Sequence, residues 1–337
     1  MLKTIITENK QFGLRPTDIL ISSFPRSGNR WLRVLIADIL LQLNGIVAKI
    51  NINDPISSIS LNMITPNMHQ SDLSIMGIDP RIKIPYRIIK THHISAHHKT
   101  IYVFRNPADS LRSYYYFRLK HNAIGKDIDT FAIENVDDWV FHVFAHIKNK
   151  QNTQQETLFV SYEWLTYNPT EAFSKVLKFL ELNPTADQIQ SAIDNQSFDK
   201  IISIILIKGD NQGIFEQSQG RVGTGLETFQ EPTLEHIKRK TKQTYDIAEL
   251  LQWNELWEEV EKKHQQGDLF GTEKALQQLH QKTSQNCDIL VSLGTLYFEM
   301  KQFDKSREFL KKAVEINPYD EGALQALSRI DQSALDH

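Results

Sequence analysis

The sequence predicts an α/β domain, with a parallel central sheet covered by helices on both faces, joined to an all-α helical-repeat region. Three observations carry the prediction. Short apolar runs (Ile19-Leu20-Ile21, Ile101-Tyr102-Val103-Phe104 and Leu158-Phe159-Val160) each lead through a turn into a helical pattern, the alternation that builds parallel sheets. From about Thr233 the composition shifts to Glu, Lys, Gln and Leu with no strand pattern left. The 337 residues are 40% hydrophobic and 23% charged, enough apolar material for a sizeable core. The division is expected at residues 1–245 for the α/β domain and 246–337 for the helical region.

Charge and cysteine content narrow the classes further. A formal net charge of -3 gives no general attraction to nucleic acid, and no Lys/Arg block replaces it. Cys287 is the single cysteine, so an internal disulfide or a Cys-based metal site is excluded, in keeping with a reducing compartment. The amino-terminal stretch lacks a sustained apolar run, and the apolar segment Val34 to Leu43 is interrupted by Asp38. It is too short for the ~20 residues of a membrane span. A cytoplasmic protein without a membrane span and without nucleic acid as a partner is expected.

The first element is the stretch Asp18 to Leu40. After the strand, Pro25 and Gly28 mark a tight turn, and Trp31, Leu32, Leu35, Ile36, Ile39 and Leu40 recur at helical spacing. A turn of this kind presents main-chain N–H groups at the positive end of a helix, where an anion binds. Gly28 allows close approach, and Ser27, Asn29 and Arg30 add hydroxyl, amide and guanidinium donors. The loop lacks the first glycine and the Lys-Ser/Thr pair of G-x-x-x-x-G-K-[ST], which argues against ATP or GTP.

Asn44 to Pro85 mixes Asn, Ser, Pro and Met with short apolar clusters; it is read either as surface packing or as a lid or acceptor pocket. Tyr86 to His93 is a strand pattern whose polar end carries Lys90, Thr91, His92 and His93. In open α/β sheets that end faces the ligand, and a histidine there can take a proton from an acceptor hydroxyl. His92, His93, His97 and His98 without clustered acidic or Cys partners do not make a metal site, so no metal is expected.

Thr100 to Lys120 repeats the strand, turn and helix, with Arg105 at the strand end and Ser113 in the helix, placed so that both can face one phosphate. The competing reading makes Arg105 and Asp109 a local salt bridge. Asp138 to Lys150 is expected as a helix with Trp139, Val143 and Ile147 inward. Thr157 to Glu163 reads as a strand, and Thr170 to Leu180 as the helix that covers it.

Several of these segments resemble, in order, those of sulfotransferases that use 3'-phosphoadenosine 5'-phosphosulfate (PAPS). Phe24-Pro25-Arg26-Ser27-Gly28-Asn29-Arg30-Trp31 resembles their phosphosulfate loop. Lys90-Thr91-His92 resembles the segment carrying the catalytic base, although His93-Ile94 replaces the usual Leu-Pro. The run IYVFRNPADSLRSYYYF resembles the 3'-phosphate segment, with Arg105 and Ser113 at its phosphate-contacting positions. Tyr162-Glu163, followed by Asn168-Pro169, resembles the Tyr-Glu segment whose tyrosine contacts adenine, and Asn195 to Asp199 resembles Thr-Ser-Phe-Glu. Of the last segment, Arg-Lys-Gly-x-x-Gly-Asp-Trp, both glycines are present as Gly220 and Gly223 but the Arg-Lys pair is Ser218-Gln219. Arg221 restores a charge from the next position, or an offset register aligns it with the arginine.

The resemblance spans about residues 17 to 230 and implies the P-loop-like sulfotransferase fold. It also implies transfer of a sulfuryl group from PAPS, without a metal, to a small-molecule, glycan or lipid hydroxyl, or to an amine. On that reading His92 is the base, Arg26 stabilises the leaving phosphate and Lys90 assists the transferring group. Arg26, Ser27, Gly28, Asn29, Arg30, Trp31, Arg105, Ser113, Tyr162, Ser197, Phe198, Gly220 and Arg221 then bind the nucleotide, with Trp31 and Phe198 enclosing adenine. Two alternatives stay open: a P-loop kinase-like phosphotransferase, or a non-catalytic scaffold with a decayed transferase domain.

In the carboxyl-terminal region, Cys287 to Asp320 resembles the 34-residue tetratricopeptide pattern through Leu293-Gly294, Tyr297, Ala313 and Pro318, with Leu290 and Ser306 in place of the usual Trp and Ala. Trp253 to Asn286 has the length of a further repeat and Glu321 to Ile330 suits a closing helix. One clear repeat is fewer than the ~3 that stand alone, so the region is expected to pack on the enzyme, on a second copy or on a protein partner.

Overall fold

Strand β1, Ile19–Ser23, is buried from end to end and forms the middle of the α/β unit. The computed structural model describes residues 13–48, 50, 60–68, 78–120, 125–153, 156–196 and 220–333. Among these, β1 is joined by β2 (Ile88–Thr91), β3 (Thr100–Phe104) and β4 (Thr157–Ser161) in the order β2-β1-β3-β4. All pairings are parallel, as the sequence predicts. Each strand is buried throughout, which explains why each reads as a continuous apolar run instead of an alternating one.

The register decides what happens at the carboxyl edge. Ser22 pairs with Thr91, Ser23 with Val103 and Phe104 with Ser161. All four strands therefore stop at about the same level. The residues that follow them, Phe24, His92, Arg105 and Tyr162, emerge along one edge of the sheet, where ligands of such sheets sit.

Helix α1, Asn29–Leu43, covers the sheet with its predicted stripe; Leu32, Leu35, Ile36, Ile39 and Leu40 are all fully buried. The stretch from Asn44 to Pro85 contains a short helix, α2 (Leu61–Ile64), held by Arg33 of α1. The Arg33 guanidinium donates to Asn62 Oδ1 at 2.9 Å, to Thr65 Oγ1 at 3.3 Å and to the Thr65 carbonyl. Helix α3, Pro107–Lys120, follows β3.

Two expectations change in extent. The helix expected over Asp138 to Lys150 is α4, Ile128–Asn152, because Asp127 accepts from the Thr130 N–H at 2.9 Å and caps it ten residues earlier. Its predicted inward residues Trp139, Val143 and Ile147 are buried. The strand expected to reach Glu163 stops at Ser161, whose hydroxyl accepts from the Trp164 N–H at 3.1 Å and starts helix α5, Tyr162–Tyr167. A serine with extended backbone caps a helix better than it continues a strand. Helices α6, Pro169–Phe179, and α7, Ala186–Asn195, complete the described part of this layer.

At the amino edge of the sheet, Asp18 and Arg87 form a buried two-pronged ion pair, Nε to Oδ1 at 2.8 Å and Nη2 to Oδ2 at 2.6 Å. It ties the residues preceding β1 and β2.

The chain packs as two compact units, Met1–Ile237 and Lys238–His337. Helix α8, Glu231–Gln252, spans this division in the sequence. In the second unit, α9 (Asn254–Gln265) pairs with α10 (Leu269–Lys282), α11 (Cys287–Glu299) pairs with α12 (Phe303–Ile316), and α13 (Glu321–Ser333) closes the array. Leu290, Leu293, Tyr297 and Ala313 are buried. Gly294 has Leu310 so close that a Cβ would lie 2.5 Å from its Cγ, and the Ser306 hydroxyl donates to the Gly294 carbonyl at 2.6 Å. Only small residues fit that crossing, which is why serine can stand for alanine. No helix among the described residues is long and apolar enough to cross a membrane.

Asp18→Ala leaves the Arg87 guanidinium buried without its carboxylate and is expected to lower the unfolding free energy by about 3–5 kcal/mol. Urea denaturation of the full chain measures this; a loss below about 1 kcal/mol would mean that the pair is not holding the strand ends.

Candidate active site

The turn from Phe24 to Gly28 is built on two left-handed residues, Arg26 (φ 70°) and Gly28 (φ 101°). Turns of this type gather main-chain N–H groups around an anion. Gly28 starts α1 without a side-chain cap, and the N–H groups of Asn29 and Arg30 are those a helix leaves without an internal partner. Close packing adds a second reason for glycine: a Cβ at Gly28 would lie 2.4 Å from Cδ2 of Tyr162.

Two side chains predicted to serve the loop face inward. Ser27 Oγ lies 3.4 Å from Ser110 Oγ and both are fully buried. Asn29 Nδ2 donates to Ser23 Oγ at 2.7 Å. What these residues offer a ligand is their main chain. Arg26 Nε donates to Ser113 Oγ at 3.3 Å, joining the loop to α3. Trp31 Nε1 donates to the Gln196 carbonyl at 3.0 Å, and its ring meets Tyr162 edge-on with centroids 6.1 Å apart.

The charges here are positive and mutually repulsive. Burial, then Arg30 and Arg105, bring Arg26 down to about 10. Burial and then Arg30 bring Arg33 to about 9. Lys90, 7% exposed and without an ion pair among the described residues, is brought to about 7 by burial, then by Arg33 and Arg30. A bound anion would reverse each of these shifts.

His92, the first residue after β2, lies 2.7 Å through Nδ1 from the Ser23 carbonyl at the end of β1. A carbonyl only accepts, so Nδ1 carries the proton and the neutral ring's lone pair is on Nε2. His93 is held by its main chain, its N–H donating to Thr91 Oγ1 at 2.8 Å and its carbonyl accepting from Ser22 Oγ at 3.3 Å.

Arg105 is 5% exposed and lies over the Tyr162 ring, Cζ 4.3 Å from the centroid. Its Nη2 donates to the Arg221 carbonyl at 2.9 Å and approaches Asp109 Oδ2 at 3.6 Å, while its buried Nε has no hydrogen-bond partner among the described residues. The pairing with Asp109 is therefore real but long, and Asp109 mainly serves the neighbouring turn. It accepts from the N–H groups of Gly223 at 2.8 Å and Gly225 at 2.6 Å and from Thr224 Oγ1 at 3.3 Å. The Tyr162 hydroxyl donates to the Gly220 carbonyl at 2.6 Å. The Arg221 side chain is exposed and 3.9 Å from Glu227. Ser197, Phe198, Ser218 and Gln219 lie outside the described residues.

The structure thus brings Arg26, Gly28, Trp31, Arg105, Ser113, Tyr162 and Gly220 together around one tyrosine ring and the loop beside it. Sequence reasoning missed several supporting residues. Glu163 accepts from the Asn106 N–H at 2.8 Å and is pushed up to about 7 by burial. Arg112 donates to Thr228 Oγ1 at 2.7 Å. His142 donates through Nε2 to the His92 carbonyl at 2.9 Å and lies with Nδ1 2.9 Å from the Tyr102 hydroxyl. The signal for His142 and His146 was present: His142 falls three residues after Trp139 and His146 three after Val143, on the inward stripe.

A family model described as a sulfotransferase domain matches residues 16–204, and one for a tetratricopeptide repeat matches residues 288–320. Sulfotransferase 1B1 of Canis lupus familiaris is 32% identical over 213 residues, covering 56% of this chain and 68% of its own. Flavonol 4'-sulfotransferase of Flaveria chlorifolia is 23% identical over 238 residues, covering 64% and 73%. Among solved structures, a mouse sulfotransferase complexed with PAP superposes with a TM-score of 0.50 at 20% identity, covering 72% of this chain and 90% of that one.

If Tyr162 packs on the loop as described, Gly28→Ala combines left-handed strain with displacement of the ring and should cost about 1–3 kcal/mol. Gly45→Ala, left-handed with open space around it, should cost only the strain, about 1 kcal/mol. Urea denaturation of both variants decides; equal losses would contradict the close packing at Gly28.

Proposed function

The chain belongs to the sulfotransferase family, and we propose that it transfers a sulfuryl group from PAPS to a hydroxyl or amine acceptor at the carboxyl edge of its sheet. The observation that carries the donor assignment is Arg105: a buried guanidinium whose Nε lacks a partner among the described residues rests on the same tyrosine ring that packs against the loop before Trp31. A nucleotide with one phosphate group at each end fits that arrangement, and a nucleotide phosphorylated at one end leaves Arg105 Nε unsatisfied.

Residues divide by role. The N–H groups of Gly28, Asn29 and Arg30, with Arg26, hold the 5'-phosphate side, and Arg105 with Ser113 holds the 3'-phosphate. Trp31 and Tyr162 flank the adenine, with Phe198 as the expected partner of Trp31. His92 Nε2 takes the acceptor proton as the acceptor oxygen bonds to sulfur. The S–O bond to the 5'-phosphate breaks, its electron pair leaves with the phosphate, and Arg26 and Lys90 neutralise the charge that spreads there. Like phosphoryl transfer, this is mostly positioning and charge stabilisation, and the residues require no metal for it.

The loop lacks the Lys-Ser/Thr pair that an ATP-dependent phosphotransferase uses for phosphate and magnesium, so PAPS is preferred to ATP. The single, buried Cys287 accords with a reducing cytoplasm. The acceptor is proposed as a small-molecule, glycan or lipid hydroxyl, and the helical region as a docking site for a protein partner or a second copy.

Four outcomes are expected. PAP should raise the melting temperature more than ATP with magnesium does; the reverse would favour the phosphotransferase. His92→Ala should lower kcat about 10²- to 10⁴-fold with PAP binding retained, while Arg105→Ala should weaken PAP binding roughly 10- to 100-fold. Near-normal turnover by His92→Ala overturns the base assignment. Because Lys90 sits at about 7 and an anion raises it, PAP binding should take up a proton above pH 7 and weaken as pH rises. Calorimetry in buffers of different ionisation enthalpy reads this, and the absence of proton uptake would remove Lys90 from the phosphate site.

A further inference from the structure

We infer that His142 is a positioning residue for the reaction: through its Nε2–H it holds the main chain of His92, and so fixes where the His92 Nε2 lone pair meets the acceptor. The inference rests on the reading of His92 as the base.

Strand β2 is at the edge of the described sheet, and its ladder ends with Ser22 opposite Thr91. His92 is one residue beyond, where the sheet no longer sets its position. Two hydrogen bonds take over. The ring donates through Nδ1 to the Ser23 carbonyl at 2.7 Å, and the His92 carbonyl accepts from His142 Nε2 at 2.9 Å.

His142 can give that bond in only one state. Its Nε2 partner is a carbonyl, so Nε2 carries the proton and Nδ1 must accept, and the Tyr102 hydroxyl lies 2.9 Å from Nδ1. Burial holds His142 down to about 4, and holds His146 well below its ordinary value, so both are neutral where the enzyme works. His146 donates through Nδ1 to the His142 carbonyl at 2.9 Å and stacks on Tyr102 at 4.1 Å. The side chains of His142 and Tyr102 are themselves fully buried. The main chain of His92 is thus located by α4, β1 and β3, which are core elements, through groups with fixed tautomers.

The sequence offers no direct sign of this. A buried histidine on a helix usually serves only packing and its own satisfaction, and here the partner makes the difference.

The test uses the full chain with His142→Leu, His142→Gln and Tyr102→Phe, assayed beside His92→Ala. His142→Leu should lower kcat about 10- to 100-fold with the KM for PAPS and the affinity for PAP unchanged. His142→Gln, whose amide nitrogen can reach the same carbonyl, should recover most of the loss. Nitrogen-15 NMR of labelled histidines supplies a readout independent of turnover: His92 should be a single Nδ1–H tautomer in wild type and His142→Gln, and a mixture in His142→Leu. The inference is overturned by unchanged kcat and tautomer in a folded His142→Leu, or by His142→Gln failing as badly as His142→Leu while both fold normally. If His142→Leu does not fold, Tyr102→Phe decides, since an unaltered His92 tautomer there removes the proposed chain. Should His92→Ala stay active, the base reading fails by itself, and the tautomer still reports whether His142 holds His92.

Discussion

Cations that repel one another are held within reach of a single loop, and the rest of the α/β unit answers to that constraint. Arg30 and Arg105 both press on Arg26, and Arg30 and Arg33 both press on Lys90. Burial makes the charges of Arg33, Lys90 and Arg105 costlier still, because water screens them less. Among the described residues, Asp109 is the carboxylate that pairs with one of them, and it is largely engaged by the turn from Gly223 to Gly225. Folding therefore places positive charge that the described carboxylates neutralise only in part. Such an arrangement persists only if the scaffold is rigid and if an anion relieves it when the site is filled.

The rigidity is visible in how polar side chains are used. Asp109, Glu163 and His142 each bond the main chain of a turn or strand end beside the site, while Ser27 and Asn29 bond the hydroxyls of Ser110 and Ser23 and so tie the loop to α3 and β1. Burying these groups is tolerable because each makes at least one bond. The parallel register brings the four strand ends level, so a few short bonds suffice to hold Phe24, His92, Arg105 and Tyr162 on one edge.

Much of this was legible in the sequence. Apolar runs followed by turns gave the buried parallel strands, and the stripe from Trp31 to Leu40 gave α1, because periodicity reports burial directly. The strand, turn and helix that carry Arg105 and Ser113 were readable too. What escaped were effects with no period. The end of β4 depends on a cap made by Ser161, and the early start of α4 on one made by Asp127. The inward turn of Ser27 and Asn29 depends on Ser110 and Ser23, partners that only the folded chain supplies. Arg33, within α1, also anchors α2 from a distance in sequence that no local pattern records. In the helical unit the tetratricopeptide signature at Leu293, Gly294 and Ala313 marked one repeat, whereas the packed pair α9 and α10 carries few signature residues.

The central claim is that one nucleotide, phosphorylated at both ends, bridges the loop before Trp31 and the guanidinium of Arg105. A crystal structure of the full chain grown with PAP tests it most directly. The account predicts the 3'-phosphate within hydrogen-bond distance of Arg105 Nε and the 5'-phosphate on the N–H groups of Gly28 to Arg30. Density for PAP elsewhere, or with Arg105 Nε still unbonded, would contradict it.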